Sequence, residues 1–229
     1  MQQILLLHGA IGSQEQLYPL RDELSFAGYE VHSLNFSGHG GKPFGSRFSM
    51  EQFGDEVYQY IQENSLNDLL VFGYSMGGYV ALFLASKYPG IFKKASTLGT
   101  KFNWTPEIAA REVKMLNPST IEEKVPAFAQ ILATRHGMDH WKLLLNNTAT
   151  MLTGLGNNPL LTNTVLQTID LPVLLLIGEK DNMVTLEETE ATKQCLQKGS
   201  IYILPDTPHP IEKVNIGLLA DQLNNFFHH

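Results

Sequence analysis

The chain has 229 residues, of which 43% are hydrophobic, and a formal net charge of -7. That is enough apolar material for one domain, or one domain carrying an insertion, and it excludes a disordered chain. The acidic balance excludes a general phosphate-backbone binder, so no nucleic-acid partner is expected.

Six short apolar or β-branched runs read as strands: Ile4–Leu7, Val31–Leu34, Leu69–Phe72, Lys94–Leu98, Val173–Ile177 and Ser200–Leu204. Helical patterns separate the first four. Ser13 opens one that runs to Ala27 and stops at Gly28. Ser49 and Gln52 form a capping box for a second over Glu51–Glu63. Met76–Tyr88 is a third, ended by Pro89 and Gly90. Strand–helix alternation predicts an α/β fold with a parallel sheet covered on both faces. The alternation breaks over 101–168, which carries helix signals only. Thr105-Pro106 starts one helix. Ser119 with Glu122 caps another, which Pro126 kinks, and Asp139 caps a third. The expected division is a core of 1–100 and 169–229 with a helical lid of 101–168. An insertion after a strand's C-terminal end is placed to roof a pocket there.

Cys195 is the lone cysteine, so neither an internal disulfide nor a cysteine metal cluster is expected. No run approaches the roughly 18 apolar residues of a membrane span. The first residues, "MQQILLLHGAIG", lack the basic region of a signal peptide. The expectation is a cytoplasmic protein with no membrane partner. His136 and His140 have helical spacing, but no acidic partner completes a metal motif. No phosphate-loop or dinucleotide fingerprint occurs either, so neither metal nor cofactor is expected.

The stretch "VFGYSMGGYV" places Ser75 between a strand and a helix in a G-x-S-x-G setting, a nucleophile elbow. Gly73 and Gly77 permit a turn too sharp for side chains, and the following helix aims N–H groups at the serine. A serine hydroxyl needs a base and an acid that orients the base, and on such elbows the chain order is serine, acid, histidine. Glu179 and Asp181 follow the "VLLLIG" strand, and His209 follows "SIYILP". Asp181 is the favoured acid over Glu179. Asp206 reads as a turn residue in "PDTPHP". The oxyanion donors are expected to be the N–H groups of Met76 and of Ala10, with His8 in a structural role.

The segments "HGA" at 8–10, "SGHGGK" at 37–42, "GYSMGG" at 73–78, "GEKD" at 178–181 and "PHP" at 208–210 together resemble the α/β-hydrolase family. The resemblance implies a serine hydrolase with Ser75 as nucleophile, His209 as base and Asp181 as orienter, and a cap where the helical insertion falls. The family's two leading strands have no counterpart here. This implies a six-stranded, fully parallel sheet with the Val31–Leu34 strand at an edge, where it could pair with a second copy in a homodimer.

The leading expectation is hydrolysis of an ester or thioester of a small, mostly apolar acid. Phe102, Trp104, Met115, Phe128, Trp141 and Met151 are the candidate pocket walls. One alternative is C–C hydrolysis, or a lyase reaction like that of the menaquinone pathway, on a carboxylate-bearing substrate held by Arg111, Lys114 or Arg135. Another is a triad-bearing small-ligand sensor with very slow turnover.

Overall fold

The computed structural model describes residues 1–228. The six apolar runs form β1 (Gln3–Leu7), β2 (Glu30–Ser33), β3 (Leu70–Tyr74), β4 (Lys94–Leu98), β5 (Val173–Gly178) and β6 (Gly199–Leu204). They make one parallel sheet in the order β2-β1-β3-β4-β5-β6, with β2 at an edge as the family order implied.

Alternate residues of each strand feed opposite faces. Leu5, Leu7, Val71, Val173 and Leu175 enter one core with Phe53 and Val57 of α2 (Met50–Glu63) and Val80 and Leu84 of α3 (Met76–Lys87). Ile4, Leu6, Leu70, Phe72 and Leu174 enter the other, with Leu20 and Leu24 of α1 (Tyr18–Phe26) and Leu219 and Leu223 of the helix Ile216–His228. Burial on both faces explains why β1, β3 and β5 read as near-continuous apolar runs rather than alternating ones. Register aligns the strand ends: Leu7 lies beside Gly73, Tyr74 beside Leu98, and Gly178 beside Leu204. The loops that follow therefore open along one edge of the sheet.

The region between β4 and β5 contains α4 (Pro106–Val113), α5 (Pro118–Lys124), α6 (Pro126–His136), α7 (Trp141–Asn157) and α8 (Asn163–Leu166). Thr105 caps α4 by accepting the Ile108 N–H. Other starts differ from expectation. Asn117, not Ser119, caps α5, because Pro118 takes the first helical position and the Asn117 side chain reaches the Thr120 N–H. Pro126 opens a new helix rather than kinking one. His140, not Asp139, precedes α7. Ser49 does cap α2, but Gln52 turns its side chain to Glu56 instead of completing a box. Ser13 opens a 3₁₀ turn, Gln14–Leu17, ahead of α1.

Among the contacts that tie this region to the rest of the chain are those of two buried rings, Tyr79 and His136. The Tyr79 hydroxyl on α3 accepts the N–H groups of Leu160 and Leu161 at 3.1 and 3.0 Å. At the end of α6, His136 Nδ1 accepts the Gly40 N–H at 3.0 Å, which leaves Nε2 to donate to Ile11 O at 2.8 Å. One imidazole thus bridges a helix between β4 and β5 to the loops after β1 and β2.

Candidate active site

Ser75 stands at the β3–α3 turn with φ 51° and ψ -115°, a strained combination for a residue with a side chain. The surroundings hold it there. Its N–H donates to Leu98 O at 2.8 Å, and its carbonyl accepts from Thr100 Oγ1 at 2.9 Å. The turn is closed so tightly that a Cβ on Gly73 would lie 2.3 Å from Gly78 N, and one on Gly77 would lie 2.2 Å from Leu7 O. The glycines of the motif are thus required by backbone contact, which is why the serine is presented at the open edge of the sheet.

The loop after β5 brings Asp181 to this point, and the loop after β6 brings His209. Asp181 Oδ2 accepts from His209 Nδ1 at 2.8 Å. Asp181 Oδ1 accepts the N–H groups of Met183 and Val184 at 2.8 and 2.9 Å, so both oxygens are fixed. The carboxyl side chain is only 2% exposed. Burial pushes its pKa up, but the His209 hydrogen bond and charge and the two N–H donors outweigh that, and the net shift is downward. His209 is further held through its backbone carbonyl, which accepts from the Tyr74 hydroxyl at 3.0 Å. Gly99, with φ 58°, passes close beneath the pair: a Cβ there would sit 3.0 Å from Asp181 Oδ2 and 3.1 Å from His209 Nδ1. No hydrogen bond joins the Ser75 hydroxyl to the ring among the described residues. Both side chains line one cavity.

Glu179 is exposed and accepts the Asp206 N–H, and Asp206 pairs with Lys180 at 2.6 Å. Neither acid approaches His209. His8 is fully buried. Its Nδ1 donates to Gly9 O at 2.8 Å and its Nε2 accepts the Phe36 N–H at 3.2 Å, so it shapes the loop that carries Ala10. Burial lowers its pKa to about 4 and keeps it neutral. Ala10 and Met76 both face the cavity, and among the described residues neither N–H is used in a hydrogen bond with the protein. Met76 is the first residue of α3, where helix geometry leaves its N–H unpaired.

The cavity has two connected parts. The inner part, about 80 Å³, holds Ser75 and His209 and is walled by Met50, Trp104, Leu152, Met183 and Val184, with Lys101 and Glu112 as its charged residues. The outer part, about 320 Å³, shares Ser75, His209 and Glu112 and opens past Met115, Phe128 and Arg135. Of the expected wall residues, Trp104 thus lies in the inner part and Met115 and Phe128 in the outer. Phe102, Trp141 and Met151 lie elsewhere. Phe102 stacks near Tyr79, Trp141 packs between α5, α6 and α7, and Met151 joins the main core. Arg111 and Lys114 are exposed. Arg135 faces the outer part but is already bonded to Ile11 O and Glu212. Met50, Lys101, Glu112, Leu152, Met183 and Val184 were missed from the sequence. Only the last two carried a signal, since they belong to the loop that delivers Asp181.

A family model described as the alpha/beta hydrolase fold matches residues 3–148, and the chain belongs to that family. The match spans the elbow and ends within α7, ahead of Asp181 and His209. Lipase 3 of Moraxella sp. (strain TA144) is 21% identical over 90% of this chain and 71% of its own length. A candidate 2-succinyl-6-hydroxy-2,4-cyclohexadiene-1-carboxylate synthase of Bacillus subtilis (strain 168) is 28% identical over 91% of this chain and 84% of its own. Ethanol acetyltransferase 1 of Hanseniaspora uvarum is 24% identical over 46% of this chain, which is 32% of that protein's length. Among solved structures, an esterase from Exiguobacterium antarcticum superposes with a TM-score of 0.81 at 16% identity, covering 100% of this chain and 92% of that one.

Proposed function

We propose that the protein is a carboxylesterase-like serine hydrolase that cleaves an ester or thioester of a small, mostly apolar acid through an acyl-enzyme on Ser75. The observation that carries this reading is the hydrogen-bonded Asp181–His209 pair, which shares one cavity with a strained serine at the head of a helix. In this mechanism the Ser75 hydroxyl attacks the carbonyl while His209 Nε2 takes its proton. Asp181 holds Nδ1 protonated and stabilises the imidazolium that forms. The N–H groups of Ala10 and Met76 receive the developing oxyanion. The ring then returns the proton to the leaving group and activates water for deacylation.

The small inner cavity and its mostly apolar wall support a short acyl chain. Residues 101–168 act as the lid in this reading, because Trp104, Glu112 and Leu152 close the inner part and Met115 and Phe128 line the way in. The test is hydrolysis of p-nitrophenyl esters of increasing acyl length, with fluorophosphonate labelling read by mass spectrometry. Turnover that peaks at short chains, with label on Ser75, supports the proposal. Labelling elsewhere, or a rate indifferent to chain length, contradicts it.

A second reading is chemistry on a carboxylate-bearing substrate, favoured by the Bacillus subtilis relative and by Arg135 at the outer cavity. Arg135→Ala would then raise KM for such substrates and leave simple esters unchanged.

A further inference from the structure

Away from Ser75 and His209, the inner cavity is apolar except at one corner, where buried charge is unevenly matched. Lys101 Nζ is buried and donates to Met183 O at 2.6 Å, with Glu112 at 3.6 Å and Glu188 at 3.7 Å. One ammonium therefore faces two carboxylates. The remaining cation, Arg111, reaches Glu112 only at 3.8 Å and is 68% exposed, so solvent screens it. Lys101 and Arg111 both approach the same Glu112 oxygen, Oε1. Among the described residues no hydrogen bond reaches either Glu112 oxygen. The side chain is nonetheless only 8% exposed. The residue walls both parts of the cavity that contains Ser75 and His209. A buried carboxylate is expected to have its lone pairs satisfied, and an acceptor left open in a reaction cavity is one that an incoming donor can fill.

We propose that Glu112 is a specificity-determining residue that accepts a hydrogen bond from a donor group on the substrate, a hydroxyl or an ammonium, on an otherwise apolar ester. The inference rests on the serine-hydrolase reading and narrows its substrate class. Lys101 and Arg111 formally balance Glu112 and Glu188, but Arg111 is exposed and screened, so the buried part of the corner leans negative; it disfavours a free substrate carboxylate and favours a cationic donor over a neutral one. Trp104, fixed by its Nε1–H donating to Lys101 O at 3.1 Å, supplies the apolar wall beside this acceptor.

The test compares matched esters that differ only in the donor. On the acyl side these are p-nitrophenyl isovalerate, β-hydroxybutyrate and β-aminobutyrate. On the alcohol side they are butyl acetate and hydroxypropyl acetate. The wild type should prefer the donor-bearing member of at least one set in kcat/KM by about 10-fold or more, the scale of a hydrogen bond to a charged group. Glu112→Leu should abolish that preference, read as the ratio of kcat/KM for the donor-bearing ester to that for its apolar match. Glu112→Gln, which retains an acceptor and the shape, should keep the hydroxyl preference and lose the ammonium preference. Both variants are first checked for a wild-type melting transition, and Gln decides if Leu does not fold. A merely structural role would lower all esters alike, and that outcome overturns the proposal, as does a wild type indifferent to the donor in both sets. If wild type shows no Ser75-dependent turnover of any ester, the hydrolase reading itself fails and takes this inference with it.

Discussion

Acidification should loosen this fold well before its carboxylates titrate, because three buried rings depend on being neutral. His8 and His39 lie 5.0 Å apart between ring centroids, and His39 and His136 lie 6.0 Å apart. Desolvation lowers the pKa of His8 and of His136 to about 4, and that of His39 well below its usual value. A depressed histidine pKa means that the unfolded chain binds more protons, so stability is present above pH 6.5 and lost as pH falls towards 4. Linkage from pH 7 to pH 5 removes about 2 kcal/mol for each of His8 and His136. Together that is about 4 kcal/mol, a large share of the roughly 5–15 kcal/mol available to a domain. Asp181, depressed below its ordinary 3.8, titrates beneath this window. The assay is urea unfolding at pH 7, 6 and 5 followed by the fluorescence of Trp104 and Trp141. In His136→Gln the bridge to Ile11 O and Gly40 N is weakened, so stability at pH 7 falls, but the loss between pH 7 and 5 shrinks by about 2 kcal/mol. Equal wild-type stability at pH 5 and 7, or an unchanged pH dependence in the variant, would refute the reasoning.

Other consequences are local. Asp181→Asn keeps the side-chain shape but removes the charge and the acceptor that set the His209 tautomer, so kcat should fall by about 10⁴-fold, the scale of serine-protease triads. A fall under tenfold would show that Asp181 does not orient the base. Tyr79→Phe strips the acceptor from the Leu160 and Leu161 N–H groups, of which Leu161 is buried. It should cost about 1–3 kcal/mol, read as a lower melting temperature. An unchanged transition would mean that the tie between α3 and the region between β4 and β5 adds nothing.

What could be read from the sequence was what local physics dictates. Strands buried on both faces must be short apolar runs, and the elbow glycines must be glycines because Leu7 O and Gly78 N leave no room for a Cβ. Asp181 and His209 were legible because each follows a strand whose end the register places beside the others. Pocket walls were not legible, since composition does not say which way a helix face turns. Met151 was expected at the site and Leu152 occupies it, a difference of about 100° around α7. The Lys101–Glu112 corner joins a segment after β4 to α4 and has no sequence signature. Nor does the His8–His39–His136 cluster, which is assembled from two loops and a helix end.

Ser75 is the nucleophile in the proposed ester hydrolysis. The most direct test measures initial rates of p-nitrophenyl acetate and butyrate hydrolysis with wild type and Ser75→Ala side by side. Wild type should turn over both esters, and the variant should lose at least about 10³-fold, since it keeps only the N–H donors and the binding cavity. Wild-type rates in Ser75→Ala would contradict it.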